Sequence, residues 1–207
     1  VVAPELPGAE DFIRQASREC VVSIAHTACD YEEARAGIEA GCSHLTHLYN
    51  AMNPLQHRDP GPIAACAEAD NVMAELICDG IHIHPAAVRA AFKLFPGRIC
   101  LISDSMRACG MPEGESDLGG QKVFLKGRKA TLADGTIAGS ATNLYDCMLT
   151  AVSFGIDETE AILAATRNPA RSAGLEDQVG TIEPGLWADF VVCDDDLTAK
   201  EVYIGGE

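Results

Sequence analysis

The sequence predicts an α/β fold: the C-terminal half of a (β/α)8 TIM-type barrel. Three observations predict it. Short β-rich runs alternate with helical patterns along most of the 207 residues. The strands read as apolar on both faces, as strands in a parallel sheet covered by helices do. Polar residues (His26, His47, Asp79 and Asp104) end four different strands. In a barrel those ends share one face, and active sites sit there. An open doubly wound sheet also fits the alternation. It should show a glycine fingerprint after its first strand, and no G-x-G-x-x-G occurs. Four or five strands are present and a barrel needs eight, so about half a barrel is accounted for.

Each element has a local reason. "CVVSIAH" (20–26) is β-branched and ends in a polar residue. "DYEEARAGIEAG" (30–41) is a helix: Asp30 is an N-cap with Glu33 at capping-box spacing, Ala34 and Ile38 share a face, and Gly41 stops it. "SHLTHL" (43–48) is the next strand, followed by a long polar loop and a short Ala-rich helix at 62–69. "NVMAELICD" (71–79) is a strand, "HPAAVRAAFKLF" (84–95) a helix opened by Pro85, and "RICLISD" (98–104) a strand. "QKVFLKG" and "KATLADG" form a β-hairpin insertion at about 119–138. Helices follow at 141–155 and 157–174, then strands at 187–193 and 201–204.

The composition excludes several classes. Fifteen basic against 31 acidic residues give a net charge of −16, with no basic cluster. Nucleic acid and anionic membrane surfaces are therefore not expected partners. No apolar run approaches a membrane span, and no signal peptide is visible. The nine cysteines are scattered singly with no C-x-x-C, and several lie in apolar runs, which reads as reduced thiols of a cytoplasmic protein. The chain opens on "VVAPELPG", without Met and inside a strand-like run, and reads as part of a longer polypeptide.

The polar strand ends suggest chemistry. His26 and His47 are one strand-helix-strand step apart, which aims two imidazoles at the barrel mouth, where they suit a zinc-like ion. Asp104 suits a metal ligand or a general base beside a bound cation. In "DGIHIHP", Gly80 permits a sharp turn after Asp79. His82 is placed to touch a substrate, and His84 suits a helix cap. Arg58, in "HRDPG", suits bidentate binding of phosphate or carboxylate, or a surface pair with Asp59. Asn50 and Ala51 offer an amide and backbone N–H groups for an anion cradle, and "GTIAGSAT" (135–142) lets a ligand approach the backbone.

Beyond these patterns, "SIAHTACDYEEARAGIEAGCSHLTHLYNAMNPLQHRDPG", "DGIHIHP", "LISDSM", "GTIAGS" and "NPARSAGLEDQVGTIEPGLWADFVV" resemble the N-acetylglucosamine-6-phosphate deacetylase family of the amidohydrolase superfamily. The resemblance spans essentially the whole chain. HLYNAM and DGIH are specific to that branch, and the ending is shared across amidohydrolases. It implies a barrel of the metal-dependent hydrolase kind over 1–175, and strands of a small β-sandwich domain over 176–207.

The resemblance also implies roles. His26 and His47 are metal ligands, for Zn2+ or another divalent ion such as Fe2+. Asp104 is the base, then the acid that protonates the leaving amine. His82 contacts the substrate. Asn50, Ala51 and Arg58 hold the sugar phosphate, Arg58 across the interface of a homodimer. Asp79, Gly80, Ile81 and His82, with Ile137, Ala138 and Gly139, line the substrate site. The reaction implied is hydrolysis of the acetamide of a phosphorylated amino sugar, in amino-sugar metabolism.

One departure stands out. The family's third ligand, a glutamate from an earlier strand, has no counterpart here. Glu5, in "VAPEL", matches a different segment. The 207 residues alone are therefore expected to be inactive or nearly so. Competing readings are a dihydroorotase- or adenine-deaminase-like amidohydrolase, a sugar-phosphate-binding module without turnover, and a structural barrel piece.

Overall fold

The computed structural model describes residues 1–207. Four strands, β1 (Val22–Ile24), β2 (Cys42–Leu45), β3 (Met73–Ile77) and β4 (Ile99–Ile102), form a parallel sheet in sequence order. Val2 adds a parallel bridge to Ile24 on the β1 edge. Helix α1 (Ala9–Ala16) precedes β1, while α2 (Tyr31–Ala40), α3 (Gly61–Glu68) and α4 (Pro85–Leu94) fill the successive crossovers. The expected capping box closes both ways. Asp30 accepts from the Glu33 N–H at 2.9 Å, and Glu33 accepts from the Asp30 N–H at 2.9 Å. His84 is a cap: its Nδ1 accepts from the Ala86 N–H at 3.1 Å.

One face of the sheet packs against helices. Val22, Ile24, Leu45, Leu76, Ile99 and Leu101 are buried there in a 30-residue core with Ile63, Val88 and Phe95. Burying a side chain of this size contributes about 1.5–3 kcal/mol. The opposite face departs from the expectation of apolar surface on both sides. Ser23, His44, Thr46, Glu75 and Cys100 lie on it and, with Ser172, line a cavity of about 330 Å³. These polar groups are paired, as burial requires. Ser23 Oγ and Thr46 Oγ1 are 2.6 Å apart. Ser172 Oγ lies 2.6 Å from His44 Nδ1, and His44 Nε2 lies 3.0 Å from Glu75 Oε1.

The segment read as a hairpin is a larger unit: four antiparallel strands, β5 (Gly114–Leu118), β6 (Gln121–Lys126), β7 (Lys129–Leu132) and β8 (Ile137–Ser140), in sequence order. Gly119 and Gly120 turn β5 into β6, and Gly127 and Arg128 turn β6 into β7, so each connection is a two-residue loop. Ala108, Val123, Leu125 and Ala130 form its small core. Strand β8 returns to the parallel sheet. The Ser140 N–H donates to the Asp104 carbonyl at 3.2 Å, and the Met106 N–H donates to the Ser140 carbonyl at 2.9 Å.

The helix expected over 157–174 is two helices, α6 (Glu158–Ala165) and α7 (Arg167–Ser172), after α5 (Leu144–Ser153). The break falls at Thr166, with φ −127° and ψ −82°. Pro169 lacks the N–H that would bond the carbonyl of Ala165, and its ring opposes that carbonyl. Strands β9 (Phe190–Cys193) and β10 (Ala199–Tyr203) form a separate antiparallel pair. All nine cysteines are free thiols. Cys29, Cys42, Cys66, Cys78, Cys100 and Cys147 are buried. Burial pushes the Cys66 and Cys78 thiols up to about 12, which leaves them unreactive near neutrality. No helix is long and apolar enough to cross a membrane.

Candidate active site

The four polar strand ends keep one register. His26, His47, Asp79 and Asp104 each stand two residues beyond the last residue of β1, β2, β3 and β4. His26, His47 and Asp104 have φ of 49°, 34° and 49°. That left-handed region is uncommon for residues other than glycine and concentrates at functional sites. Tyr49 (φ 77°) and Ala51 (φ 49°) share it in the loop after β2.

His26 and His47 meet. Their Nε2 atoms are 3.0 Å apart, and the rings cross edge to face with centroids 4.7 Å apart. His26 is exposed and His47 is buried. The Nδ1 of His47 lies 3.1 Å from the Asn50 carbonyl, to which it donates. That bond leaves the Nε2 lone pair facing His26, a tautomer suited to metal ligation. The donor set thus fits a divalent ion: two nitrogen atoms of one tetrahedral zinc stand roughly 3.3 Å apart. No third His, Cys, Asp or Glu joins the pair in this chain.

Asp79 and His82 form a second unit. Asp79 Oδ1 accepts from the N–H groups of Ile81 (2.8 Å) and His82 (2.9 Å), while Oδ2 lies 2.7 Å from His82 Nδ1. Burial alone would raise the Asp79 carboxyl. The bonds from the His82 ring and the two N–H groups outweigh it and hold the carboxyl below its usual value. Asp79 therefore orients His82 and leaves its Nε2 free. Gly80, at φ 80°, makes the turn between them.

Asp104 is exposed, and its carboxylate makes no hydrogen bond or ion pair within the chain. The β8 strand brings Gly139 beside it: a Cβ on Gly139 would lie 3.8 Å from the Asp104 carbonyl and 3.1 Å from Met106 Cε. Ile137 is exposed, and Ala138 and Gly139 are half-buried. No hydrogen bond or ion pair joins Asp104 to the histidine pair.

The loop after His47 carries Asn50, Ala51 and Arg58. The Asn50 amide donates to the His47 and Leu48 carbonyls, both at 3.3 Å, so it braces its own loop. The Ala51 N–H has no partner in the chain, and its carbonyl accepts from the Thr27 N–H at 3.1 Å. Arg58 is exposed and makes no ion pair, so the surface pairing with Asp59 does not form.

Two carboxylates that sequence reasoning left aside flank the pair. Glu5 accepts from the Thr27 hydroxyl and from the Ala28 N–H at 2.7 Å. Glu75 accepts from the His47 N–H at 3.3 Å and faces His44. Burial would raise the Glu75 carboxyl, but the His44 bond and charge, then the His47 N–H, hold it below its usual value. A charge inside the apolar run "MAELI" was the signal available for Glu75. Nothing local marks Glu5.

Comparison with known proteins places the chain in a family. The model of the Amidohydrolase family matches residues 9–207. The chain is 36% identical to the N-acetylglucosamine-6-phosphate deacetylase of Danio rerio, covering 100% of itself and 53% of that protein. It is also 36% identical to the N-acetylgalactosamine-6-phosphate deacetylase of Escherichia coli O157:H7, over 100% of itself and 55% of the relative. Among solved structures, it superposes with TM-score 0.93 and 36% identity on an aspartate-to-alanine mutant of the Mycobacterium smegmatis deacetylase in complex with N-acetyl-D-glucosamine-6-phosphate. There it covers 100% of itself and 56% of that chain. It spans about half the length of these relatives. This chain belongs to the amidohydrolase family.

Proposed function

We propose that this chain supplies half of the active site of a divalent-metal-dependent deacetylase acting on an N-acetylated amino sugar 6-phosphate, releasing acetate and the free amino sugar phosphate. The observation that carries the reading is the His26–His47 pair, Nε2 to Nε2 at 3.0 Å, at strand ends that also carry Asp79 and Asp104. The names of the matched relatives support the substrate class.

In this reading His26 and His47 hold the ion, Zn2+ being the best match to two imidazoles. When bound, the ion polarises the acetamide carbonyl and lowers the pKa of water from 15.7 towards ~7. Asp104 takes a proton from the attacking water on its carboxylate and delivers it to the leaving nitrogen. Its exposed carboxylate, free of internal hydrogen bonds, is available for both transfers. His82, held through Nδ1 by Asp79, turns Nε2 towards the substrate carbonyl and orients it. The unpartnered Ala51 N–H and the unpaired Arg58 guanidinium bind the phosphate. Ile137, Ala138 and Gly139 wall the sugar, next to Asp104.

The test is acetate release from N-acetylglucosamine 6-phosphate and its galactosamine epimer, by the longest natural polypeptide that carries this segment. Hydrolysis of either epimer, lost on Asp104→Asn while ligand binding is kept, is the expected result. Two imidazoles hold an ion weakly, so the 207 residues alone should turn over far more slowly. Arg58→Ala should raise KM for the phosphorylated sugar and leave an unphosphorylated one unaffected. Hydrolysis of a dihydropyrimidine or an aminopurine, with neither sugar turned over, would sink the reading.

A further inference from the structure

The two histidines that face each other are held from behind by two carboxylates that do not reach the pair. His26 and His47 both occupy left-handed backbone (φ 49° and 34°), which a residue with a Cβ keeps only where its surroundings over-determine it. Glu5, ahead of α1, receives the Ala28 N–H on Oε1 and the Thr27 hydroxyl on Oε2, so it grips the two residues that follow His26. Glu75, in mid-β3, receives the N–H of His47 itself on Oε2, and its own carbonyl receives the Leu48 N–H at 2.8 Å. The other Glu75 oxygen is anchored by His44, which Ser172 anchors in turn. No other group in the chain accepts from these N–H groups.

We propose that Glu5 and Glu75 are positioning residues: two backbone clamps, one for each metal-binding histidine. This inference rests on the reading of His26 and His47 as ligands. The hydrogen bonding gives it a specific signature. Each carboxylate has one partner that can only donate, the Ala28 N–H for Glu5 and the His47 N–H for Glu75. Each has one partner that can reverse its role, the Thr27 hydroxyl and the His44 imidazole. A glutamine satisfies both. Its oxygen accepts from the N–H, and its NH2 donates to the reversible partner, with His44 passing its proton to the Nδ1 side facing Ser172. An aspartate keeps the charge but is too short to reach.

The experiment measures Zn2+ and Co2+ affinity, by competition with a chromophoric chelator, in the longest natural polypeptide carrying this segment. The Co2+ absorption band reports ligand geometry independently of turnover. Glu5→Ala and Glu75→Ala, and equally Glu5→Asp and Glu75→Asp, should weaken the ion about 10–100-fold and alter the band. Glu5→Gln and Glu75→Gln should stay within about threefold of the parent. Should the alanine variants fail to fold, the aspartate and glutamine variants carry the comparison. Glutamine variants as weak as the alanine or aspartate ones would show that the carboxylates act by charge or as ligands, and would overturn the inference. So would aspartate variants as tight as the parent. His26→Ala and His47→Ala serve as the control: if they bind ions like the parent, the ligand reading fails and the inference falls with it. If they lose the ion while all the Glu5 and Glu75 variants keep it, only the inference fails.

Discussion

The parallel sheet and the antiparallel meander solve the same backbone problem with different residues. Both need left-handed turns where strands end. The meander makes them with Gly119, Gly120, Gly127 and Gly135, and no other residue type in 114–140 has a positive φ. The parallel sheet uses His26, His47, Tyr49, Ala51 and Asp104, five of the six non-glycine residues with positive φ in the chain. Glycine adopts this region without a Cβ penalty, whereas an L-residue there costs about 1–2 kcal/mol. Four of the five, His26, His47, Ala51 and Asp104, are residues of the proposed site, and the fifth, Tyr49, packs against the core. A 30-residue core behind the sheet over-determines the backbone, while the meander has a four-residue core and no such reserve.

The contrast can be broken most severely at Asp104. On the proposed reading Asp104→Asn removes the base, whose carboxylate no internal bond holds, so acetate release by the longer polypeptide should fall by about 10²–10⁴-fold, with thermal stability unchanged. An equal loss of stability would show that Asp104 is part of the scaffold. The two cores come next. In urea titrations Leu76→Ala should cost about 2–5 kcal/mol, and Val123→Ala in the meander clearly less, about 1–2 kcal/mol. Reversed magnitudes would refute the assignment of the reserve to the parallel sheet.

Swapping the turn chemistry is a smaller and sharper test. Gly127→Ala, at φ 58° with open space around it, should destabilise by about 1 kcal/mol. Ala51→Gly, at φ 49°, should stabilise by up to ~1 kcal/mol, because relief of the left-handed strain exceeds the added chain entropy. If Ala51→Gly also raises KM for the sugar phosphate, the strained turn itself places the free N–H.

The smallest effect is electrostatic. The Asp79 carboxyl sits below its unfolded value, about 3.9, so its contribution is complete above that pH and is lost as pH falls through the lower folded value. Asp79→Asn should therefore flatten the stability–pH curve on its acid limb and leave the neutral region parallel to the parent. Chemical denaturation between pH 2 and pH 7 checks it, and an unchanged acid limb would remove Asp79 as its source.

Much of this was legible in the chain itself. The capping box at Asp30 and Glu33, the His84 cap and the four polar strand ends follow from local chemistry and spacing, and all four ends stand at one register in the structure. The reading failed where a strand carries too little pattern of its own. The inner face of the sheet looked apolar because strands of three to five residues give too little alternation to expose Ser23, His44 or Glu75 as a row. The four-stranded meander read as a hairpin because "GESDL" has one large apolar residue, Leu118, and carries no strand period.

By itself the sequence determined the alternation of strands and helices, their caps, and which polar residues end which strand, since propensity, capping and periodicity act within a few residues. Only the tertiary structure decided that His26 and His47 touch, that the Asp104 backbone bonds β8, and that Glu5 and Glu75 grip the backbone beside the pair. Those contacts join residues 21 to 36 positions apart, whose meeting depends on how whole strands pack and twist rather than on any local preference.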